Sequence, residues 1–167
     1  MPLLKQGRLI EDRWVFIGDD ADIPVEGDIV VSFERLKSSI EILVMRNGNL
    51  GVTLDNDASV HELAPYIKNL AMIALEFPAF TDGRAYSQAR ILTTQLGFTG
   101  ELRATGNVLA DQGVFMSRCG FDSFETDARQ PPHLWLNLAG AMSLAYQKSY
   151  RAPDGVSQRA VVASRVG

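Results

Sequence analysis

Short apolar runs that alternate with longer segments of helical period constrain this chain more than any other feature. From Ile29 onward the runs Ile29-Val30-Val31, Leu50 to Leu54, Ala71 to Phe77, Glu101 to Ala104 and Phe121 to Phe124 recur about 20 to 30 residues apart. Between them, apolar residues fall three or four positions apart, as on one face of a helix: Phe33, Leu36, Ile40 and Leu43, then Val60, Leu63, Ala64 and Ile67, then Ala85, Ala89, Leu92 and Leu96. Val108 to Cys119 reads as a fourth helix. Leu134, Trp135, Leu138, Met142 and Ala145 mark a fifth, after Pro131-Pro132. Strand–helix alternation of this kind predicts an α/β fold of repeated βα units around a parallel sheet. Right-handed crossovers then place every strand-to-helix loop on the same side. Five units are too few for a closed eight-stranded barrel. An open, doubly wound sheet and a half-barrel-like sheet both satisfy the pattern, and periodicity does not separate them.

The ends of the elements carry local signals. Ser59 and Glu62 have the spacing of a capping box at the start of the second helix. Gly97 and Gly120 stand just past helix ends, where a left-handed residue is common. Residues 3–17 read as a small β-hairpin, so 1–150 forms a single α/β domain with 1–20 as a hairpin extension. Residues 151–167 hold Pro153, Gly155 and three arginines against one acid. That segment reads as a disordered tail, with a basic docking peptide as the alternative.

A length of 167 residues fits one domain, and 46% apolar residues suffice for a sizeable core. Sixteen basic against twenty acidic residues leave a net charge of −4. Evenly mixed and mildly acidic, the chain lacks the clustered basic residues that hold nucleic acid or an anionic membrane. A single cysteine, Cys119, excludes an intrachain disulfide and a multi-cysteine metal site. No apolar run approaches the roughly 18 residues of a membrane span, and no signal-peptide pattern opens the chain. A soluble, cytoplasmic protein is expected.

In a parallel α/β sheet, ligands gather at the carboxyl ends of the strands. That geometry selects the loops Asp55-Asn56-Asp57, Phe80 to Arg84, Thr105-Gly106-Asn107 and Glu125-Thr126-Asp127. The second is the richest. Asp82, Gly83, Arg84 and Ser87 open a helix, whose free N–H groups and dipole attract an anion. Arg103 leads into the third loop, where Gly106 and Asn107 stand, and Gln112 interrupts the apolar stripe of the next helix. Together these eight residues form a candidate site for a phosphate, sulfate or carboxylate. In the alternative reading Asp82 caps its helix, Arg84 is solvated or paired, and Gln112 fixes a neighbouring loop. Gly113, costly in a helix, points to close packing or a local irregularity. Cys119 lies at a helix end, where the dipole disfavours a thiolate, and reads as a structural thiol. His61 and His133 have no catalytic partner in the sequence. Phosphate-loop, dinucleotide and H-E-x-x-H motifs are absent, so no cofactor is evident.

The stretch Phe77-Pro78-Ala79-Phe80-Thr81-Asp82-Gly83-Arg84-Ala85-Tyr86-Ser87-Gln88-Ala89-Arg90, with Gly100-Glu101-Leu102-Arg103-Ala104 and Arg118-Cys119-Gly120-Phe121-Asp122, resembles an uncharacterised family of bacterial proteins. Genes of that family usually lie beside those for assimilatory sulfite reductase and phosphoadenosine phosphosulfate reductase, and members are labelled as oxidoreductases of sulfite reduction. The family brings no established catalytic residues to carry over. Asn107 stands where an Asp is common in it, and Gly113 where a larger apolar residue is common. The resemblance implies an accessory component of assimilatory sulfite reduction that acts with sulfite reductase. The alternative is a small enzyme or sensor that binds an anionic sulfur metabolite or nucleotide at the strand ends. The expected partners are sulfite reductase, an anionic small molecule and a second copy of the chain, with no nucleic acid and no membrane.

Overall fold

The apolar runs become strands of one sheet in the computed structural model, which describes residues 2–150 apart from Phe80 and Ala128, and side chains from Leu3 to Leu144. The first residues give β1 (Pro2–Lys5), β2 (Arg8–Glu11) and β3 (Val15–Phe16). They are followed by β4 (Ile29–Ser32), β5 (Leu50–Leu54), β6 (Met72–Phe77), β7 (Glu101–Gly106) and β8 (Ser123–Glu125). Helix α1 (Phe33–Val44) follows β4 and α2 (Arg84–Thr94) follows β6, while α3 (Gly113–Arg118) links β7 to β8 and α4 (Pro132–Tyr150) follows β8. Residues 151–167, which the sequence assigns to a disordered tail, lie outside the described residues. Among the described residues, no helix is long and apolar enough to cross a membrane.

Across the sheet the order is β2-β1-β8-β7-β6-β5-β4-β3. β3 to β8 are parallel to one another, and β1 is antiparallel to both β8 and β2. The sheet is therefore mixed, which corrects the all-parallel expectation. The tight turn at Gln6 and Gly7, both at positive φ, makes β2 antiparallel to β1, and β1 itself runs antiparallel to β8 at that edge. The hairpin thus belongs to the main sheet. Val15 and Phe16 are no part of it, because they pair with β4 at the opposite edge.

From β3 to β8 each strand lies beside its predecessor, so right-handed crossovers send successive connections over one face and the sheet curls away from it. The curl has a direct measure. β2 and β3 are the two edges of the eight-stranded sheet, yet only Asp12, Arg13 and Trp14 join them. Three residues between two strands span at most about 14 Å from Glu11 to Val15. The sheet is a half-barrel, and the doubly wound alternative is excluded.

Alternation then assigns the two faces. Ile29, Val31, Val52, Leu54, Ile73 and Leu75 point outward into the main core, with Leu36, Leu43 and Leu92 from the helices. Val30, Met72 and Ala74 point inward and meet Trp14. Each fully buried side chain of this size is worth about 1.5–3 kcal/mol. Gly51 makes room for the indole: a Cβ there would sit 3.3 Å from the Trp14 ring and 3.1 Å from Met72 Cε. On the same concave face, Arg103 is 1% exposed and donates to Asp12 at 2.6 and 3.1 Å and to Glu101 Oε1 at 3.0 Å. Ser123 Oγ and Lys5 Nζ donate to Glu101 at 2.6 and 2.5 Å. The connector therefore plugs the half-barrel twice, with the Asp12 carboxylate and with the Trp14 ring.

Two helices depart from expectation. The second is a pair of 3-10 turns, Val60–Leu63 and Ile67–Asn69, and Ser59 makes no side-chain cap. Pro65 explains it: without an N–H and with its ring against the preceding turn, proline breaks an α-helix there. The helix expected over Val108 to Cys119 shortens to a 3-10 turn, Ala110–Gln112, followed by α3. Gly113 sits at that junction because a Cβ would lie 2.2 Å from Leu138 Cδ2 of α4.

Candidate functional site

The four loops selected from the sequence do line the carboxyl ends of the strands, and side-chain hydrogen bonds join them into one rim. Asn56 Nδ2 donates to Asp82 Oδ2 at 2.6 Å, linking the loop after β5 to the loop after β6. Asp82 accepts the backbone N–H of Arg84 at 3.1 Å and its guanidinium at 2.7 Å. Asn107, after β7, donates Nδ2 to Pro78 O at 2.5 Å and accepts Arg129 Nη2 at 3.1 Å. Arg129 in turn closes on Asp127, after β8, through its backbone N–H at 2.8 Å and its Nε at 2.9 Å. The amide of Asn107 suits this place, because one end donates while the other accepts.

The rim contains the same device twice. In Asp82-Gly83-Arg84 and in Asp127-Ala128-Arg129, an aspartate caps the N–H two residues on and clamps the side chain of that same arginine. Arg129 is a site residue that the sequence reading misses. The repeated Asp-x-Arg spacing is the signal that reveals it. Hydrogen bonding from Arg84 is the main reason that Asp82 ionises at about 2, far below an ordinary aspartate. The Arg129 hydrogen bonds lower the Asp127 carboxyl in the same way, and each arginine is raised by its partner. Both guanidiniums still face solvent, with 58% and 76% of their side chains exposed.

The other candidate residues are placed differently. Gly83 precedes α2 without a side-chain cap of its own, and Ser87 is exposed in that helix's first turn. Gly106 has φ of +83°, and a Cβ there would lie 2.6 Å from Phe77 O, so only glycine delivers Asn107 to the rim. Arg103 does not join the site: it is buried under the connector, closed on Asp12 and Glu101. Gln112 is half-buried, and among the described residues no side-chain hydrogen bond ties it to a loop. That task belongs to two other glutamines. Gln88 donates to Asp55 O and Ala58 O at 2.8 and 3.0 Å, and Gln130 bonds the backbone of Val108 and Ala110 at 2.5 and 2.9 Å. Cys119 is half-buried, and burial raises its thiol, in keeping with a structural role.

Inside the rim, the concave face turns polar. Glu76 on β6 stands opposite Thr105 on β7, and Glu76 is exposed. Glu76 is the only charged residue in the run from Ala71 to Phe77, which is the sequence signal for it. A pocket of about 130 Å³ lies at the other end of the strands, among Leu43, Gly48, Asn49, Leu50, Asn69 and Ala71. It is well below the roughly 300 Å³ at which small-molecule sites begin.

The model of a family described as bacterial protein of unknown function, DUF934, matches residues 51–156. The chain belongs to this family. The DUF934 match contains all four rim loops, both Asp-x-Arg clamps and α4, whereas Asp12, Trp14 and the edge strands β2 and β3 precede it. No curated protein matches the chain.

Proposed function

We propose that the protein is an accessory component of assimilatory sulfite reduction, which acts by docking on sulfite reductase and has no reaction of its own. The pathway half of the reading rests on the gene neighbourhood of the family it resembles. The docking half is carried by one observation. Leu9 and Ile10 on β2 are 41% and 40% exposed, and Val15 and Phe16 on β3 are 56% and 47% exposed. Open edges with apolar side chains invite pairing, and folded proteins cover or blunt them. Here a three-residue connector holds both edges close together, so one partner segment can reach both edges.

Ionisation supports docking over catalysis. A general acid or base works best with a pKa near the operating pH. Asp82, Asp127 and Cys119 all shift the other way, the carboxyls down and the thiol up. The pathway is tested with a deletion strain on single sulfur sources. It should fail on sulfate and on sulfite and recover on sulfide and on cysteine. Normal growth on all four would remove the assignment.

A second reading has its own support in the solvent-facing Arg84 and Arg129, held on loops that Asn107 joins. The rim would then bind an anionic sulfur metabolite or nucleotide, in a sensor or a small enzyme. A ligand of the native state raises apparent stability. A melting temperature that stays flat across sulfite, sulfide and adenylyl sulfates eliminates that reading.

A further inference from the structure

Residues 18–28 run back along α1, from its first turn to its last. Arg35 in the first turn donates to the carbonyls of Gly18, Asp19 and Ala21, and Arg46, just past the last turn, donates to those of Pro24 and Gly27. Asn47 closes the same end: its N–H donates to Val25 O at 3.0 Å, and its carbonyl accepts the Gly27 N–H at 2.9 Å. Val25 is thereby held beside the end of α1, where Ile42 and Met45 stand three positions apart on a helical turn. These three are 81%, 61% and 87% exposed, and Val25 and Met45 are the two most exposed large apolar side chains among the described residues. Val44, also exposed, extends the group to the small pocket at Gly48 and Asn49. Single apolar side chains on a surface are ordinary, whereas a polar-rimmed group of them marks a place where another molecule docks.

Charge selects the occupant. Residues 18–49 hold seven acids and three bases, a net charge of −4 that equals that of the whole chain. The three bases are already engaged, because Arg35 and Arg46 close on backbone carbonyls and Lys37 pairs with Glu34 at 2.6 Å. Asp20, Asp22, Glu26 and Glu41 are exposed and enter no ion pair among the described residues. Glu26 adjoins Val25, and Glu41 stands one turn before Met45, so acids flank the apolar group on both sides. A symmetric contact with a second copy would bring two acidic surrounds together, and an anionic membrane or a nucleic acid would be repelled in the same way. We propose that the Val25–Ile42–Met45 surface docks a basic amphipathic segment of a partner protein, whose apolar side chains cover the patch and whose Lys or Arg residues face Glu26 and Glu41. This surface is built on α1, apart from the β2 and β3 edges, so the inference does not rest on docking at those edges.

Binding of synthetic helical peptides to the full-length chain tests this, read by fluorescence anisotropy at physiological salt, where attraction between distant charges is screened. The probe carries leucine on one face and lysine on the other. One control peptide has glutamate in place of lysine, and a second has serine in place of leucine. The leucine–lysine peptide should bind, and both controls should bind roughly tenfold more weakly or not at all. Ile42→Ser/Met45→Ser and Glu26→Gln/Glu41→Gln should each weaken the leucine–lysine peptide by a similar factor. All four side chains are exposed, so both double variants keep the fold, which melting temperatures close to the native value verify. Failure of the leucine–lysine peptide to bind overturns the proposal, as does affinity that either variant retains in full or a control that binds equally well. A native dimer that Ile42→Ser/Met45→Ser dissociates overturns it in favour of a second copy.

Discussion

Replacing Arg103 with methionine lowers the stability of the folded chain by about 3 kcal/mol, the lower end of the range for breaking a buried ion pair. The guanidinium is 2% exposed and sits between Asp12 and Glu101, whose side chains are 19% and 8% exposed. Methionine fills much of the volume and removes the charge, so two carboxylates lose their shared cation. The loss stays near the lower end because Glu101 keeps Lys5 and Ser123. The substitution also has a pH signature. Burial acts to raise the Glu101 carboxyl, but hydrogen bonds from Lys5 and Ser123 and the charges of Arg103 and Lys5 outweigh it, leaving a folded pKa below the ordinary 4.5. A depressed carboxylate stabilises the fold above its unfolded pKa, and that contribution disappears as pH falls through the folded value. Without Arg103 the folded value rises, so acid unfolding of the variant begins at higher pH than in the native chain. Urea unfolding at pH 7 and an acid titration read both effects. A stability change under 1 kcal/mol would contradict the network's role.

Trp14→Ala carries the second large effect, about 3–5 kcal/mol, from lost transfer energy and the cavity left over Gly51, Met72 and Val30. Trp14 is 9% exposed although it lies in a three-residue connector, a length of chain usually solvated. The indole fixes the start of β3, so the variant should also lose exchange protection at Ile17, whose N–H bonds Val30 O at 2.8 Å. Asp12 and Trp14 hold one segment from two positions. The double variant Trp14→Ala/Arg103→Met should therefore fall short of the sum by more than 0.5 kcal/mol, since coupled sites are not additive. Additive costs would mean that the two contacts act independently and that the connector is not a single plug.

Much of the sheet is legible in the sequence, because parallel strands covered on both faces leave continuous apolar runs such as Ile29-Val30-Val31. The half-barrel shape is not. It depends on which strands form the edges, and that follows from β1 choosing β8 as its partner more than a hundred residues away. Arg103 shows the same limit. Its place on the strand leading to the rim suggests the anion site, yet one of the two acids that hold it, Asp12, is 91 residues distant, and no local pattern announces that pairing. Other features were available to a closer reading. Pro65 forbids the second helix, Glu76 stands alone among apolar neighbours, and the Asp-x-Arg spacing recurs at Asp127. Of the eight proposed site residues, Asp82, Arg84 and Asn107 bond directly into the rim. That Arg84 closes on Asp82 and Asn107 on Arg129 is a matter of side-chain geometry that spacing does not encode.

Docking through the β2 and β3 edges is the central claim, and direct binding to purified sulfite reductase holoenzyme tests it most closely. The native chain should bind, and Phe16→Lys and Ile10→Lys should each weaken binding by roughly tenfold or more without lowering the melting temperature, because both side chains are already solvent-facing. No binding by the native chain, or binding that both lysine variants retain in full, would contradict the account.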